Sequence, residues 1–319
     1  MMKTIMNITT SMHDLPRYAD NVDIKRFYRD IGLDGLEVMQ TGEDTAGMIL
    51  PEDTLGVHLR YFTAWMDLWT GNHERLLHEY DDWQTVEHTF GGRDAQALIE
   101  TFRATLAFAA KLQPEYLVFH VSECHIEESM RRQYHYTDEQ VIDATIDVVN
   151  AIAENIEGQP LLLFENLWYP GLTMLRPDMT AKLLAGVRYP NKGIMLDVGH
   201  LLHTNTALRS SEEALDYLYE VLEPYGNCAE IKGIHLHQTL SGELAEELRQ
   251  TWQPTLKDYR QRYWDVLPHI CRVDSHQPFA HPGVKALVQR VAPDYLVLEQ
   301  ISSDRESHLR TLKEQLAYL

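Results

Sequence analysis

The chain has 319 residues, with 48 Asp+Glu against 28 Lys+Arg and a formal net charge of −20 at pH 7. Its 44% hydrophobic and 24% charged content is that of a globular protein, not a disordered or fibrous one. Binding to a nucleic-acid backbone or an anionic membrane surface needs clustered positive charge, and this composition argues against both.

Three cysteines, Cys124, Cys228 and Cys271, form no CxxC pair, and an odd number does not make a disulfide framework. A reducing, cytoplasmic setting is expected. The opening residues, MMKTIMNITTSMHDLPRY, lack the apolar core and cleavage site of a signal peptide. No 18-residue apolar run is present to span a membrane. Histidine stands out with 16 copies, and it serves metals and proton transfer more often than packing.

Short runs rich in β-branched and aliphatic residues predict strands at 4–8, 35–39, 55–59, 116–121, 161–164, 193–196, 231–236 and 295–298. Most are nearly continuous apolar stretches, as strands buried on both faces should be. Helix-period segments lie between many of them. One spans 95–111 and stops before Pro114, and one starts at the capping box of Thr137 and Gln140 and runs to about 157. Ser210 with Glu213 starts another through 222, and 286–291 and 303–317 are two more.

Eight strand–helix units imply an α/β chain with a parallel sheet closed into a (β/α)8 TIM barrel. No linker rich in Gly, Pro or Ser divides it, so 1–319 is expected to be a single domain. Two connections, about 60–93 and 238–282, are too long for ordinary loops. They are expected to cover the C-terminal face of the barrel as lids or binding loops. The first carries Tyr61, Phe62, Trp65, Trp69, Tyr80, Trp83 and Phe90, which can also form a local core of its own.

The strand ends carry the chemistry. His58, His120, Glu165, Asp197, His235 and Glu299 close the third to the eighth predicted strands in succession. In a parallel barrel these ends open on one face, where active sites are built. His200 follows Asp197 in Asp-Val-Gly-His, and Asp274 and His276 stand two apart, able to face one way in an extended segment. Nine imidazole and carboxylate donors without a thiolate suit Zn, Mn, Fe or Co. They are too many for one ion, so two or three divalent ions sharing a carboxylate are expected.

With these motifs the sequence resembles the xylose isomerase-like TIM-barrel superfamily (AP endonuclease family 2), which includes sugar epimerases and endonuclease IV. The resemblance runs from Asp34-Gly-Leu-Glu-Val to Leu298-Glu-Gln-Ile and rests on Phe164-Glu-Asn, Leu196-Asp-Val-Gly-His200, Ile234-His-Leu-His-Gln-Thr and Val273-Asp-Ser-His276. The epimerase branch implies one metal on Glu165, Asp197, His235 and Glu299. The endonuclease branch implies further ions on His58 and His120 and on His200, Asp274 and His276, so the metal-site pattern is closest to endonuclease IV. The chain departs from the pattern at His237, where asparagine is usual. His237 is an alternative ligand, a donor behind the ligands or a proton carrier.

The function expected is phosphoester hydrolysis in a small substrate, phosphorylated or polyol, rather than in a nucleic acid. The first alternative is a single-metal sugar or sugar-phosphate isomerase or epimerase with Glu165 and Glu299 as base and acid. A multinuclear iron centre that activates oxygen is the next, and a metal-binding sensor without catalysis the last. Arg60, Arg93, Arg131, Arg132 and Lys232 are candidates for holding a substrate anion. Cys124 is expected as a buried loop thiol and Glu37 as a carboxylate behind the ligands, while His73, His78, His88, His135, His269 and His308 are expected at the surface.

Overall fold

The computed structural model describes residues 2–41, 47–255 and 257–319. All eight expected strands form: β1 (Lys3–Thr9), β2 (Gly35–Met39), β3 (Thr54–His58), β4 (Tyr116–His120), β5 (Leu161–Glu165), β6 (Lys192–Asp197), β7 (Ile231–His235) and β8 (Tyr295–Leu298). They pair in chain order, every pair parallel, and β8 returns to β1 to close the barrel.

Two-residue alternation decides what each strand presents. One set of positions, including Ile5, Tyr116, Val118, Leu163, Met195 and Val297, packs into a small cluster of its own inside the barrel. The other, with Leu36, Val57, Leu117, Phe119, Leu162, Phe164, Ile194, Leu196, Leu296 and Leu298, joins the large core against the helices. Glu37, His58, His120, Glu165, Asp197, His235 and Glu299 share parity with the inner set, so the same alternation that fills the barrel aims them into its mouth. Gly56 serves this packing, because a Cβ there would come within 2.1 Å of the Tyr116 ring.

The expected helices are present with small shifts in their ends. Ala95–Leu112 is capped by Asp94, and Asp138–Ile152 by Thr137 with the predicted capping box, before a 3-10 turn at Ala153–Asn155. Ser211–Leu222 is capped by Ser210, and Val284–Val291 starts two residues early. The last helix is Arg305–Leu316, because Asp304, not Ser303, accepts the Ser307 N–H at 2.8 Å.

Both long connections are helical. The first holds Met66–Thr70, His73–Tyr80 and Trp83–Phe90, with Tyr80, Val86 and Phe90 fully buried. The second holds Gly242–Thr251 and Tyr259–Val273. No helix of the described residues is long and apolar enough to cross a membrane.

His73, His78, His88 and His135 are exposed and His269 half-buried, but His308 is buried beside Phe27 with neither ring nitrogen hydrogen-bonded. Its place on the inner face of the last helix, away from any strand, carried no signal of burial.

Candidate metal centre

All nine predicted donors meet at the C-terminal mouth of the barrel. Nε2 of His58, Nε2 of His120 and Oε2 of Glu165 lie 3.0, 3.1 and 3.2 Å from one another. Nδ1 of His235 faces Glu299 Oε2 at 3.2 Å, Glu165 Oε1 at 3.5 Å and Asp197 Oδ2 at 3.7 Å. Nε2 of His200 and Nε2 of His276 lie 3.3 and 2.9 Å from Asp274 Oδ2. Glu165 belongs to the first two groups at once. His237 joins the third: His200, His237, Asp274 and His276 bring ligand atoms within 4.8 Å of one another.

The imidazoles are held in defined tautomers. A carbonyl oxygen can only accept, so a ring nitrogen beside one carries the proton. Nδ1–H of His58 donates to the Leu59 carbonyl at 2.9 Å, that of His200 to Asn166 at 3.0 Å and that of His276 to Glu299 at 3.0 Å. In each ring Nε2 then turns its lone pair toward a carboxylate oxygen. His235 is reversed: Nε2 lies 3.0 Å from Glu37 Oε1, and Nδ1, which has no hydrogen-bond partner, faces the three acids. Glu37 is itself held by the Tyr116 hydroxyl, which donates at 2.8 Å.

Glu37, Glu165, Asp197 and Glu299 are all below a tenth exposed, and their ion pairs among the described residues are with histidines only. Taking such carboxylates out of water costs several kcal/mol each unless a positive charge compensates. Bare lone pairs facing them require a cation between, either a proton or a metal.

Without metal the protons take that place. Burial alone would raise the Glu165 and Asp274 carboxyls and lower the His200 and His235 imidazoles. The opposite charges win, holding both carboxyls well below the usual range and both imidazoles well above theirs. His276 is pushed up to about 9, burial opposing and Asp274 prevailing. His120 goes the other way, lowered by burial. Donor chemistry, tautomers and separations all fit resident divalent ions.

Local sequence explains two positions. Gly199 leaves space for His237: a Cβ there would stand 1.9 Å from Cε1 of that ring. His237 is thereby wedged against Asp197, its Nε2 at 3.0 Å from Oδ2, and stacked at 3.8 Å on His276. His276 adopts φ 44°, a left-handed conformation uncommon for a residue with a side chain, which turns its ring onto Asp274.

A cavity of about 140 Å³ opens over the donors, with His120, His200 and Asp274 in its wall beside Tyr61, Trp168, Tyr169, Tyr263, Leu267 and Ile270. Both long connections therefore contribute to it. Cys124 is buried and also lines it. None of the five basic candidates does. Arg93 pairs with Glu87 and Arg131 with Glu127, Arg60 lies over Phe62, Arg132 bonds His203, and Lys232 is at the far end of β7.

Sequence reasoning undervalued Glu37, whose parity with the inner set was the available signal. It missed His203, buried beside Trp168 and lowered to about 3 by burial and the Arg132 charge.

Among solved structures, endonuclease IV from Thermus thermophilus superposes with a TM-score of 0.53 at 14% identity, covering 99% of this chain and 98% of that one. A candidate xylose isomerase from Rhodospirillum rubrum gives 0.50 at 13%, covering all of both chains. The fold is a (β/α)8 TIM barrel, as in both of these structures. A D-tagatose 3-epimerase-like protein also matches, at 14% identity over 99% of this chain and 97% of that one, with a TM-score of 0.49. No family model matches the chain, and no curated protein does. At these identities the likeness is one of fold, and it leaves the reaction to the site itself.

Proposed function

We propose that the chain is a metal-dependent hydrolase with a di- or trinuclear centre, cleaving a phosphoester in a small molecule that is not a nucleic acid. The observation that carries this is the set of four tautomer-fixed imidazoles, His58, His200, His235 and His276, each presenting a lone pair to carboxylates of the barrel mouth. His58, His120 and Glu165 would hold one ion, and Glu165, Asp197, His235 and Glu299 a second. His200, Asp274 and His276 would hold a third. Two or three Zn, Mn or Fe ions match this donor set. When bound, such ions lower the pKa of a coordinated water and neutralise charge on a phosphoester.

The chain's own groups then have separate tasks. Glu165 joins two donor groups and keeps them in register. Glu299 Oε2, buried and without a hydrogen-bond partner, faces Nδ1 of His235 at 3.2 Å and would serve the second ion. His237 positions Asp197 through its Nε2. Tyr61, Trp168 and Tyr263 exclude bulk water. With no Lys or Arg among the described residues of the cavity wall, a substrate anion would be met by the metal centre rather than by a basic side chain.

One observation favours a second reading, a single-metal isomerase or epimerase of a sugar or polyol. Glu165 and Glu299 stand at similar distances from His235 Nδ1 and could serve as base and acid across one substrate. The test is Asp274→Ala/His276→Ala in protein purified without added metal. Loss of one ion per chain together with phosphoester turnover supports the hydrolase. Unchanged metal content with ketose–aldose or epimer interconversion overturns it in favour of the isomerase.

A further inference from the structure

Behind the cavity wall lies another buried group of donors, contributed by the 60–93 connection and the loop after β4. Glu123, only 1% exposed, accepts the backbone N–H groups of Trp65 and Met66 on Oε2 at 2.7 and 3.1 Å. Its Oε1 is buried with no hydrogen-bond partner and faces Nε2 of His125 at 3.7 Å. The same Nε2 lies 2.7 Å from Oδ2 of Asp67. Across the ring, Nδ1 is 3.5 Å from Oε2 of Glu79.

We propose that Asp67, Glu123 and His125 form a divalent-cation site distinct from the barrel mouth, one that ties the 60–93 connection to the loop after β4. Their ligand atoms lie within 4.8 Å of one another, at separations that span those among the barrel-mouth donors. Glu79 Oε2 stands 3.5 Å from Nδ1 of His125, an ion-pair separation, while Nε2 of the ring faces Asp67 and Glu123. One imidazole and two carboxylates suit Zn or Mn, with water completing the shell.

Charge supports the assignment. Arg75 is paired with the group at Asp67 Oδ1, at 3.4 Å, and is shared with Glu128 at 3.0 Å. The Tyr136 hydroxyl donates to the same Asp67 oxygen at 2.6 Å. Oε1 of Glu123, by contrast, is buried and meets no hydrogen-bond donor. A divalent cation would give Oε1 the partner it lacks. Asp67 sits in the Met66–Thr70 helix, whereas Glu123 and His125 follow β4. The ion therefore braces the part of the cavity wall where His125 and Thr63 lie.

The site does not depend on which reaction the barrel mouth performs. In zinc-loaded protein, Asp67→Asn/Glu123→Gln should bind one ion fewer per chain than the parent, keep the ion that Asp274→Ala/His276→Ala removes, and lose part of the zinc-dependent rise in Tm. Equal zinc content in parent and variant overturns the proposal. Because the variant could fail to fold, anomalous scattering from zinc-loaded crystals of the unaltered chain gives a second test. A peak between Asp67, Glu123 and His125 is expected, and its absence overturns the site whatever is seen at the barrel mouth.

Discussion

The Glu37 carboxylate meets Nε2 of His235 at 3.0 Å and so leaves Nδ1 as the atom turned toward Glu165, Asp197 and Glu299. A carboxylate behind a ligating imidazole fixes its tautomer and raises its basicity. Glu37→Gln is expected to weaken metal binding at the barrel mouth by about 10–100-fold, read by competition with a chelator of known affinity. Unchanged affinity would show that His235 does not ligate through Nδ1.

Tyr116 supports the same relay from inside the barrel, its ring beside Gly56 and its hydroxyl on Glu37. Tyr116→Phe should lower stability by about 1–3 kcal/mol, the cost of leaving a buried acceptor short of its donor. Urea unfolding measures this. The variant should lose less metal affinity than Glu37→Gln, because His235 keeps its carboxylate.

Gly199 and His237 are a steric pair. A methyl group at 199 cannot fit 1.9 Å from a fully buried ring, so Gly199→Ala should cost about 1–3 kcal/mol through overpacking. Adding His237→Ala should recover part of that loss. A double-mutant cycle with additive costs would show that the two positions do not compete for space.

Protons and metal ions use the same lone pairs. The folded metal-free chain holds a proton on His276 up to about pH 9, above the 6.5 of the free side chain. That pair stabilises the metal-free fold fully below pH 6.5 and is lost as pH rises through about 9. Metal binding at pH 7 should therefore release protons. Calorimetry in buffers of different ionisation enthalpy gives the number, and zero release would contradict ligation through these imidazoles.

His308 has the opposite sign. Burial, with help from the Arg17 charge, depresses it to about 4. The unfolded chain takes up its proton near pH 6.5, so stability falls as pH drops from 6.5 toward 4, by up to about 3 kcal/mol. His308→Leu should flatten that part of the stability–pH curve relative to the parent. Parallel curves would mean the ring is hydrated in solution.

The barrel was legible because buried parallel strands are short apolar runs, and each of the eight expected runs lies within a residue or two of its strand. The donors were legible for a related reason: a polar residue that ends an apolar run is conspicuous. Glu37 was harder to weigh, since it stands inside an apolar run and its value depends on which nitrogen of His235 it meets. Asp67, Glu79, Glu123 and His125 come from segments 58 residues apart at their extremes, and no local pattern joins them. His308 looked like a surface residue because helix faces are assigned by what packs on them.

Composition and charge, by themselves, determined an acidic chain of globular make-up, and strand periodicity determined the barrel and the six donors at its strand ends. Both are properties of short windows, in which local alternation and residue type suffice. Tertiary structure alone decided which nitrogen each imidazole offers, how Glu165 comes to serve two groups, that Gly199 makes room for His237, and that the cavity wall is aromatic and free of Lys and Arg. Those outcomes depend on atoms brought within about 4 Å from distant parts of the chain, and only the closed barrel sets such distances.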